Sequence, residues 1–249
     1  MKILAVIPAR FSSTRFAAKV LAKDTGKFLI QHTYEQACLA KLPDKVIIAA
    51  DDEKVVAAVD SFGAECVLTS MEHKSGTDRI AETVADLDVD IIVNLQADEP
   101  EIDPGSIDYL ARLLMDNPDY PMATLSADFQ NAGQVADPNI VKVVTDGNNS
   151  AIYFSRLPIP YDRDNTGVGN IGQYQRHLGI YAYRKEFLLK ITKLPQTPLE
   201  KIEKLEQLRV IENGYNIFVG KVEHTCDGID TSEQYAEFVE RYKKRKRQK

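Results

Sequence analysis

Three apolar runs, at 3–7, 46–50 and 90–95, constrain this chain more than anything else in it. The second and third are apolar on both faces, which suits strands covered from both sides in a parallel sheet. Amphipathic stretches separate them at the spacing of βαβ units. The full pattern predicts strands at 2–7, 45–50, 65–68, 90–95, 121–127, 140–145, 150–155, 176–183 and 216–222. Helices are predicted at 28–40, 52–61, 77–86, 104–116, 184–192, 199–212 and 232–246. Asp51-Asp52 and Ser232 stand where caps belong, and Pro104 suits a first helical turn. The expectation is an α/β fold with a mixed, mostly parallel sheet flanked by helices.

After about residue 120 strand-like runs follow one another, with a turn at Gly147-Asn148-Asn149. This predicts a mixed sheet or a smaller antiparallel layer added to the α/β body. The glycine-rich stretch 162–172 reads as a mobile loop. With 44% hydrophobic and 27% charged residues over 249 positions, the composition is that of a soluble protein. No run is long enough to span a bilayer, and no signal peptide is legible. Three widely spaced cysteines, Cys38, Cys66 and Cys226, indicate neither a zinc site nor a disulfide framework, so a cytoplasmic location is expected.

Net charge is −6, yet residues 241–249 alone carry seven basic side chains and no acid, leaving the rest at −13. So acidic a body would repel nucleic acid. The tail therefore reads as a solvated helix end whose cations complement the macrodipole, with neither nucleic acid nor membrane as partner.

Polar chemistry gathers where the apolar runs end. Directly after the first come Arg10, Arg15 and Lys19 with the hydroxyls of Ser12, Ser13 and Thr14. Cations and hydroxyls at a strand's carboxyl end suit a polyphosphate. The glycine spacing of a P-loop or a dinucleotide fingerprint is absent. After the 90–95 run, Asp98 stands at the strand end, where a carboxylate can hold magnesium beside a phosphate. Glu99, Glu101 and Asp103 read instead as an acidic helix start. Asp230 precedes the last helix and is either a cap or, if Ser232 caps, a second metal ligand. His177 could equally be a buried, hydrogen-bonded residue, and Glu206 and Gln207 could lie on a solvated helix face.

Taken in order, these segments resemble the 3-deoxy-manno-octulosonate (Kdo) cytidylyltransferases. The likeness runs from Ile3 through Tyr235. It rests on Ile-Pro-Ala-Arg-x-x-Ser-Thr-Arg at 7–15, Ser-Gly-Thr-Asp-Arg at 75–79, Gln-x-Asp-Glu-Pro at 96–100 and Tyr-Phe-Ser-Arg at 153–156. It continues through His-Leu-Gly-Ile-Tyr at 177–181, Leu-Glu-Gln-Leu-Arg at 205–209 and Asp-Thr at 230–231. Relatives that activate sialic acids share the first segment but lack the 177–181 and 205–209 pair.

The resemblance implies a sheet of the nucleotidyltransferase, Rossmann-like type and CMP transfer from CTP to Kdo ahead of lipopolysaccharide assembly, with Mg2+ as cofactor and a homodimer as assembly. It implies one domain over 1–249: a nucleotide-binding part at about 1–120, a sugar-binding and dimerisation part at about 121–230, and a helix with basic tail at 231–249. Arg10, Arg15, Lys19 and Asp98 are then the catalytic set. Ala9, Arg10, Ser12, Lys19, Ser75, Gly76, Arg79 and Gln96 bind the nucleotide. Gln96, Arg156, His177, Tyr181, Glu206 and Gln207 bind the sugar acid, with Arg156 on its carboxylate, and Asp98 and Asp230 hold the metal.

Three departures stand out. The family's Leu-Pro-Gly-Lys-Pro-Leu reads Phe16-Ala17-Ala18-Lys19-Val20-Leu21 here. If the family glycine has positive φ, Ala18 is strained or the loop takes another path. Gln-Gly-Asp becomes Gln96-Ala97-Asp98, and Asp-Thr-Pro-Glu-Asp becomes Asp230-Thr231-Ser232-Glu233-Gln234. They leave two alternatives: a related acceptor such as 8-amino-Kdo or a sialic-acid-like sugar, or a non-catalytic nucleotide-binding homologue.

Overall fold

Each apolar run becomes a buried strand, and the strands align so that their carboxyl ends lie together. The computed structural model describes residues 1–12, 16–223, 225 and 228–247. The chain divides into two compact units, 1–108 with 226–249, and 109–225. In the first, β1 (Ile3–Ala9), β2 (Lys45–Ala50), β3 (Cys66–Leu68) and β4 (Ile91–Asn94) run parallel in the order β3-β2-β1-β4. Ala9 pairs with Ala50 and Val6 with Asn94, so the segments after β1, β2 and β4 leave the same edge of the sheet. In open parallel sheets that edge is where ligands bind.

Helices α1 (Leu29–Ala37), α2 (Glu53–Asp60) and α3 (Gly76–Val84) belong to this unit. Asp52 caps α2, its carboxylate accepting the Lys54 N–H at 2.8 Å, as the sequence led us to expect. Ser75 caps α3 in a reciprocal box with Asp78. Helix α4 (Pro104–Asp116) starts in this unit and ends in the second.

The second unit is mixed, one of the two arrangements that the closely spaced strands allowed. Its elements are β5 (Met122–Asp128), α5 (Ala132–Ala136), β6 (Lys142–Thr145), β7 (Ala151–Ser155) and β8 (Gln175–Arg184), then α6 (Lys185–Ile191), α7 (Pro198–Glu203), α8 (Gln207–Glu212) and β9 (Ile217–Lys221). Strand β5 pairs antiparallel with β8 and parallel with β9, while β6 pairs antiparallel with both β7 and β8. The continuous helix expected over 199–212 is two helices. Lys204 takes φ 54°, a left-handed conformation that ends α7. The apolar periodicity on either side hides such a single-residue break. Within 162–172, the Asp162 carboxylate accepts the Asp164 and Asn165 N–H groups, and Asp162 bridges to Gly167.

The last helix, α9 (Ser232–Arg247), returns to the first unit. Its Tyr235, Phe238 and Val239 form a buried cluster with Leu29 and Ile229. Thr231, not Ser232, caps it: the Thr231 hydroxyl accepts the Gln234 N–H, and the Gln234 side chain takes the N–H groups of Asp230 and Thr231. Gln234, one of the departures from the family pattern, thus completes a capping box and leaves the Asp230 carboxylate for other work. Two tail cations are not simply solvated, since Arg241 and Arg245 both pair with Glu101 at 2.8 Å. No helix among the described residues is long and apolar enough to cross a membrane.

Candidate functional site

One ammonium group organises the open edge of the first unit. Lys19, 9% exposed, donates from Nζ to Asp98 Oδ2 at 2.5 Å, to the Ile229 carbonyl at 2.7 Å and to Asp230 Oδ1 at 3.3 Å. Residues some 80 and 210 positions apart meet here. The Ile229 N–H in turn donates to the Asp98 carbonyl at 2.9 Å. The family resemblance assigned Lys19 to phosphate and the two aspartates to a metal; in the structure they neutralise one another.

The segment ahead of Lys19 explains its altered sequence. Ala18 has φ 49° and ψ 31°, the left-handed region suspected from the missing glycine, and it opens a short 3-10 turn over Lys19–Leu21. Phe16 packs against the cluster of Leu29, Ile229 and Tyr235, with its ring 5.4 Å from that of Tyr235. Side-chain packing of Phe16 thus anchors the backbone that leads into Lys19. A left-handed alanine costs about 1–2 kcal/mol, part of which glycine's looser unfolded state takes back. Ala18→Gly is therefore expected to raise the unfolding free energy by about 0.5–1 kcal/mol. Urea denaturation checks this, and a destabilised variant would contradict the left-handed assignment.

The remaining nucleotide candidates line the same edge. Ala9 is fully buried at the end of β1, while Arg10 and Ser12 are exposed, Arg10 donating to the His73 carbonyl at 3.2 Å. A Cβ on Gly76 would lie 3.1 Å from Pro8 Cγ, so glycine lets the start of α3 abut the end of β1. Arg79, fully buried, donates from Nη1 to Thr69 Oγ1 and from Nη2 to Asp51 Oδ2 at 3.3 Å. Burial pulls its pKa below the ordinary guanidinium value despite Asp51. Its Nε has no partner among the described residues, nor does Asn94 Oδ1 at the end of β4. Gln96 is half-buried. Arg15, Ser13 and Thr14 lie outside the described residues.

Sequence reasoning missed Asp51, which it read only as a cap. Its carboxylate accepts the Phe11 N–H at 2.8 Å and faces Arg79, so it ties the first loop to α3. An acidic pair at a strand end was the available signal, but only one of the two caps a helix.

Of the sugar-acid candidates, Gln96 belongs to the first unit and the other five to the second. Glu206 precedes α8 and Gln207 begins it, 5% exposed. Tyr181 and His177 share β8, with ring centroids 5.5 Å apart. His177 is 8% exposed, and its Nε2 lies 3.0 Å from Thr124 Oγ1. The single hydroxyl hydrogen of Thr124 serves the Ile180 carbonyl at 2.8 Å, so His177 Nε2 donates and Nδ1 stays an acceptor. Arg156 is clasped by backbone, from Nε to the Glu203 carbonyl at 2.7 Å and from Nη1 to the Pro138 carbonyl at 3.0 Å.

Burial pushes the His177 imidazole down to about 3. Below pH 6.5 the unfolded chain takes up a proton that the folded one refuses, so stability falls as pH drops from 6.5 towards 3. By pH 5 this one group should account for about 2 kcal/mol of lost stability. Urea melts of parent and His177→Asn at pH 7 and pH 5 measure the difference, and equal pH slopes would refute it.

Two carboxylate oxygens converging on one cation are hard donors of the kind a divalent metal takes. No group of three or more His, Cys, Asp or Glu able to hold a metal occurs among the described residues. The Asp98–Asp230 pair thus offers two hard oxygens to a divalent ion.

A profile of the cytidylyltransferase family matches residues 4–217. The 3-deoxy-manno-octulosonate cytidylyltransferase of Solibacter usitatus is 49% identical, over 93% of this chain and 91% of its own. Its counterpart in Geotalea daltonii is 46% identical over 98% and 100%. Among solved structures, a CMP:2-keto-3-deoxy-manno-octonic acid synthetase complexed with CTP superposes with a TM-score of 0.92, at 39% identity and 98% and 100% coverage.

Proposed function

This chain belongs to the 3-deoxy-manno-octulosonate cytidylyltransferase family, and we propose that it transfers CMP from CTP to the anomeric hydroxyl of Kdo, releasing pyrophosphate. The observation that carries the reading is the convergence of Lys19, Asp98 and Asp230 at the carboxyl edge of a parallel sheet. A cation and two carboxylates there are the parts phosphoryl chemistry needs, since its demands are positioning and charge neutralisation.

In the reaction the anomeric oxygen bonds to the α-phosphorus while the bond to the bridging oxygen breaks. Pyrophosphate leaves with the electron pair, and the hydroxyl proton passes to solvent. Arg10 and Lys19 hold the triphosphate and stabilise the charge building on the leaving group. In this reading Ser75, Gly76 and Arg79 line the cytosine pocket, and Arg79 Nε, without a partner among the described residues, is the donor it offers. Arg156 takes the acceptor's carboxylate with its planar fork. His177 accepts a sugar hydroxyl at Nδ1, and Tyr181, Glu206, Gln207 and Gln96 read the others. Asp98 and Asp230 would hold a divalent cation, magnesium in this reading, which when bound neutralises phosphate charge and acidifies a coordinated hydroxyl. A cytoplasmic homodimer completes the proposal, as the family resemblance implies.

Incubation with CTP, magnesium and Kdo, followed by pyrophosphate release, tests the assignment. Turnover that Asp98→Ala abolishes supports it, and no release with any divalent metal overturns it. Kdo, its 8-amino analogue and a sialic acid in the same assay settle the acceptor, with the highest kcat/KM expected for Kdo.

A further inference from the structure

A buried lysine that no sequence motif singled out lies at the root of Arg156. Lys142 is 0% exposed, yet its side chain ends in an ammonium. All three of its hydrogen bonds go to main-chain carbonyls: Asp137 at 2.9 Å, Ile140 at 2.6 Å, and Arg156. The Asp137–Ile140 turn and Arg156 are thereby tied to one point. Arg156 grips the same turn from the other side, through Nη1 on the Pro138 carbonyl. Glu203 holds Arg156 a second time. Its carboxylate accepts the Arg156 N–H at 3.1 Å and the Ser155 hydroxyl at 2.8 Å, while its carbonyl takes Arg156 Nε.

Burying an ammonium costs several kcal/mol before any bond is made, and a methionine would fill the space without that cost. Burial also draws the amine's pKa down, against the pull of Asp137 and Glu203. What the charge supplies is a fixed direction. Nε and one Nη1 hydrogen of Arg156 are spent on backbone, two of the five donors a guanidinium carries. The fork is then preorganised for a planar anion. The same framework reaches His177, whose N–H donates to the Val141 carbonyl at 2.9 Å and whose ring meets Phe154 edge-on at 4.8 Å.

We infer that Lys142 and Glu203 are positioning residues for the acceptor site, holding Arg156 so that its guanidinium meets the carboxylate of the sugar acid. Neither touches substrate. The inference rests on the reading of Arg156 as the carboxylate partner, and the experiment separates the two.

Steady-state constants for both substrates are measured in Lys142→Met, Glu203→Gln, Arg156→Met and the Lys142→Met/Arg156→Met pair. The expected result is a KM for Kdo raised about tenfold in Lys142→Met, a loss of one bidentate contact's order. The KM for CTP should stay within about twofold. Because the effect passes through Arg156, the double variant should be no worse than Arg156→Met alone. The C1 carboxamide of Kdo, which lacks the charge, should show no such dependence in any of the three single variants. If Arg156→Met leaves the KM for Kdo unchanged, the reading of Arg156 fails and the inference with it. If Arg156→Met raises that KM while Lys142→Met and Glu203→Gln do not, the reading stands and the inference is overturned. Thermal melts report folding, and should Lys142→Met not fold, Glu203→Gln decides alone by the same acceptor-selective rise.

Discussion

Lys19→Met is expected to lower kcat/KM for CTP by about 10³-fold, the order seen when one preorganised donor to developing charge is removed. The same change should destabilise the free protein. Lys19 Nζ lies between Asp98 Oδ2 and Asp230 Oδ1 at 2.5 and 3.3 Å, so its removal leaves two carboxylates facing each other. Breaking a buried pair costs about 3–5 kcal/mol. Here the Asp98 and Asp230 side chains are 25% and 42% exposed, so solvent screening reduces the loss to about 1–2 kcal/mol. Two features separate this from a generic core defect. Magnesium or manganese should restore much of the lost melting temperature in Lys19→Met without nucleotide, by linkage to the vacated carboxylates. Lys19→Met/Asp98→Asn should lose that rescue. A Lys19→Met protein that melts like the parent, with no response to divalent cations, would remove the ammonium from the centre of the site.

Arg209→Met is expected to be the most destabilising single change, at about 3–5 kcal/mol by urea denaturation. Arg209 and Glu200 are 7% and 5% exposed. They meet as a fork, Nε to Oε2 at 2.8 Å and Nη2 to Oε1 at 2.5 Å, with Nη1 donating to the Ile191 carbonyl at 3.3 Å. Burial alone would raise the Glu200 carboxyl; the guanidinium outweighs it and holds the group below its ordinary value. Its stabilisation is thus present above the unfolded carboxyl range and lost as pH falls through the folded value. Without Arg209 the sign reverses, because a buried carboxylate with no cation prefers to be protonated, and the variant should be relatively less impaired at pH 4 than at pH 7. Glu200→Gln/Arg209→Met should lose less than Arg209→Met, since no charge is left buried. The pair ties α7 to α8, the helix that carries Gln207, so a rise in KM for the acceptor should accompany the instability. An Arg209→Met protein as stable as its parent would refute this account.

Much of this site could be read before any coordinate was known, and what could be read has a common character. Asp98 carries charge at the end of an apolar run, where a charge has few bland explanations, and the family resemblance tied Lys19 and Asp230 to it. Ala18 could be flagged because a glycine position filled by another residue poses a conformational question, and its φ of 49° answers it. The hidden residues are those whose role is a partner. Asp51 reads as a cap until Arg79 and the Phe11 N–H are found beside it. Lys142 lies in a strand whose alternation says nothing of an ammonium turned back on carbonyls. The Thr231 cap was assigned one residue too late because Ser232 is an equally good capping type. The break at Lys204 went unseen because helical periodicity survives a single left-handed residue.

By itself the sequence determined the strands, most of the helices, the edge of the sheet where chemistry gathers and the charged residues that gather there. Hydrophobic period and polar punctuation are local properties, written over a few residues. Only the tertiary structure decided who pairs with whom: that Lys19 neutralises both aspartates, that Phe16 packs on Tyr235 ahead of Lys19, and that Lys142 and Glu203 clasp Arg156. Such pairings join positions up to 211 apart. Their energies depend on distance and burial, which exist only once the chain has folded.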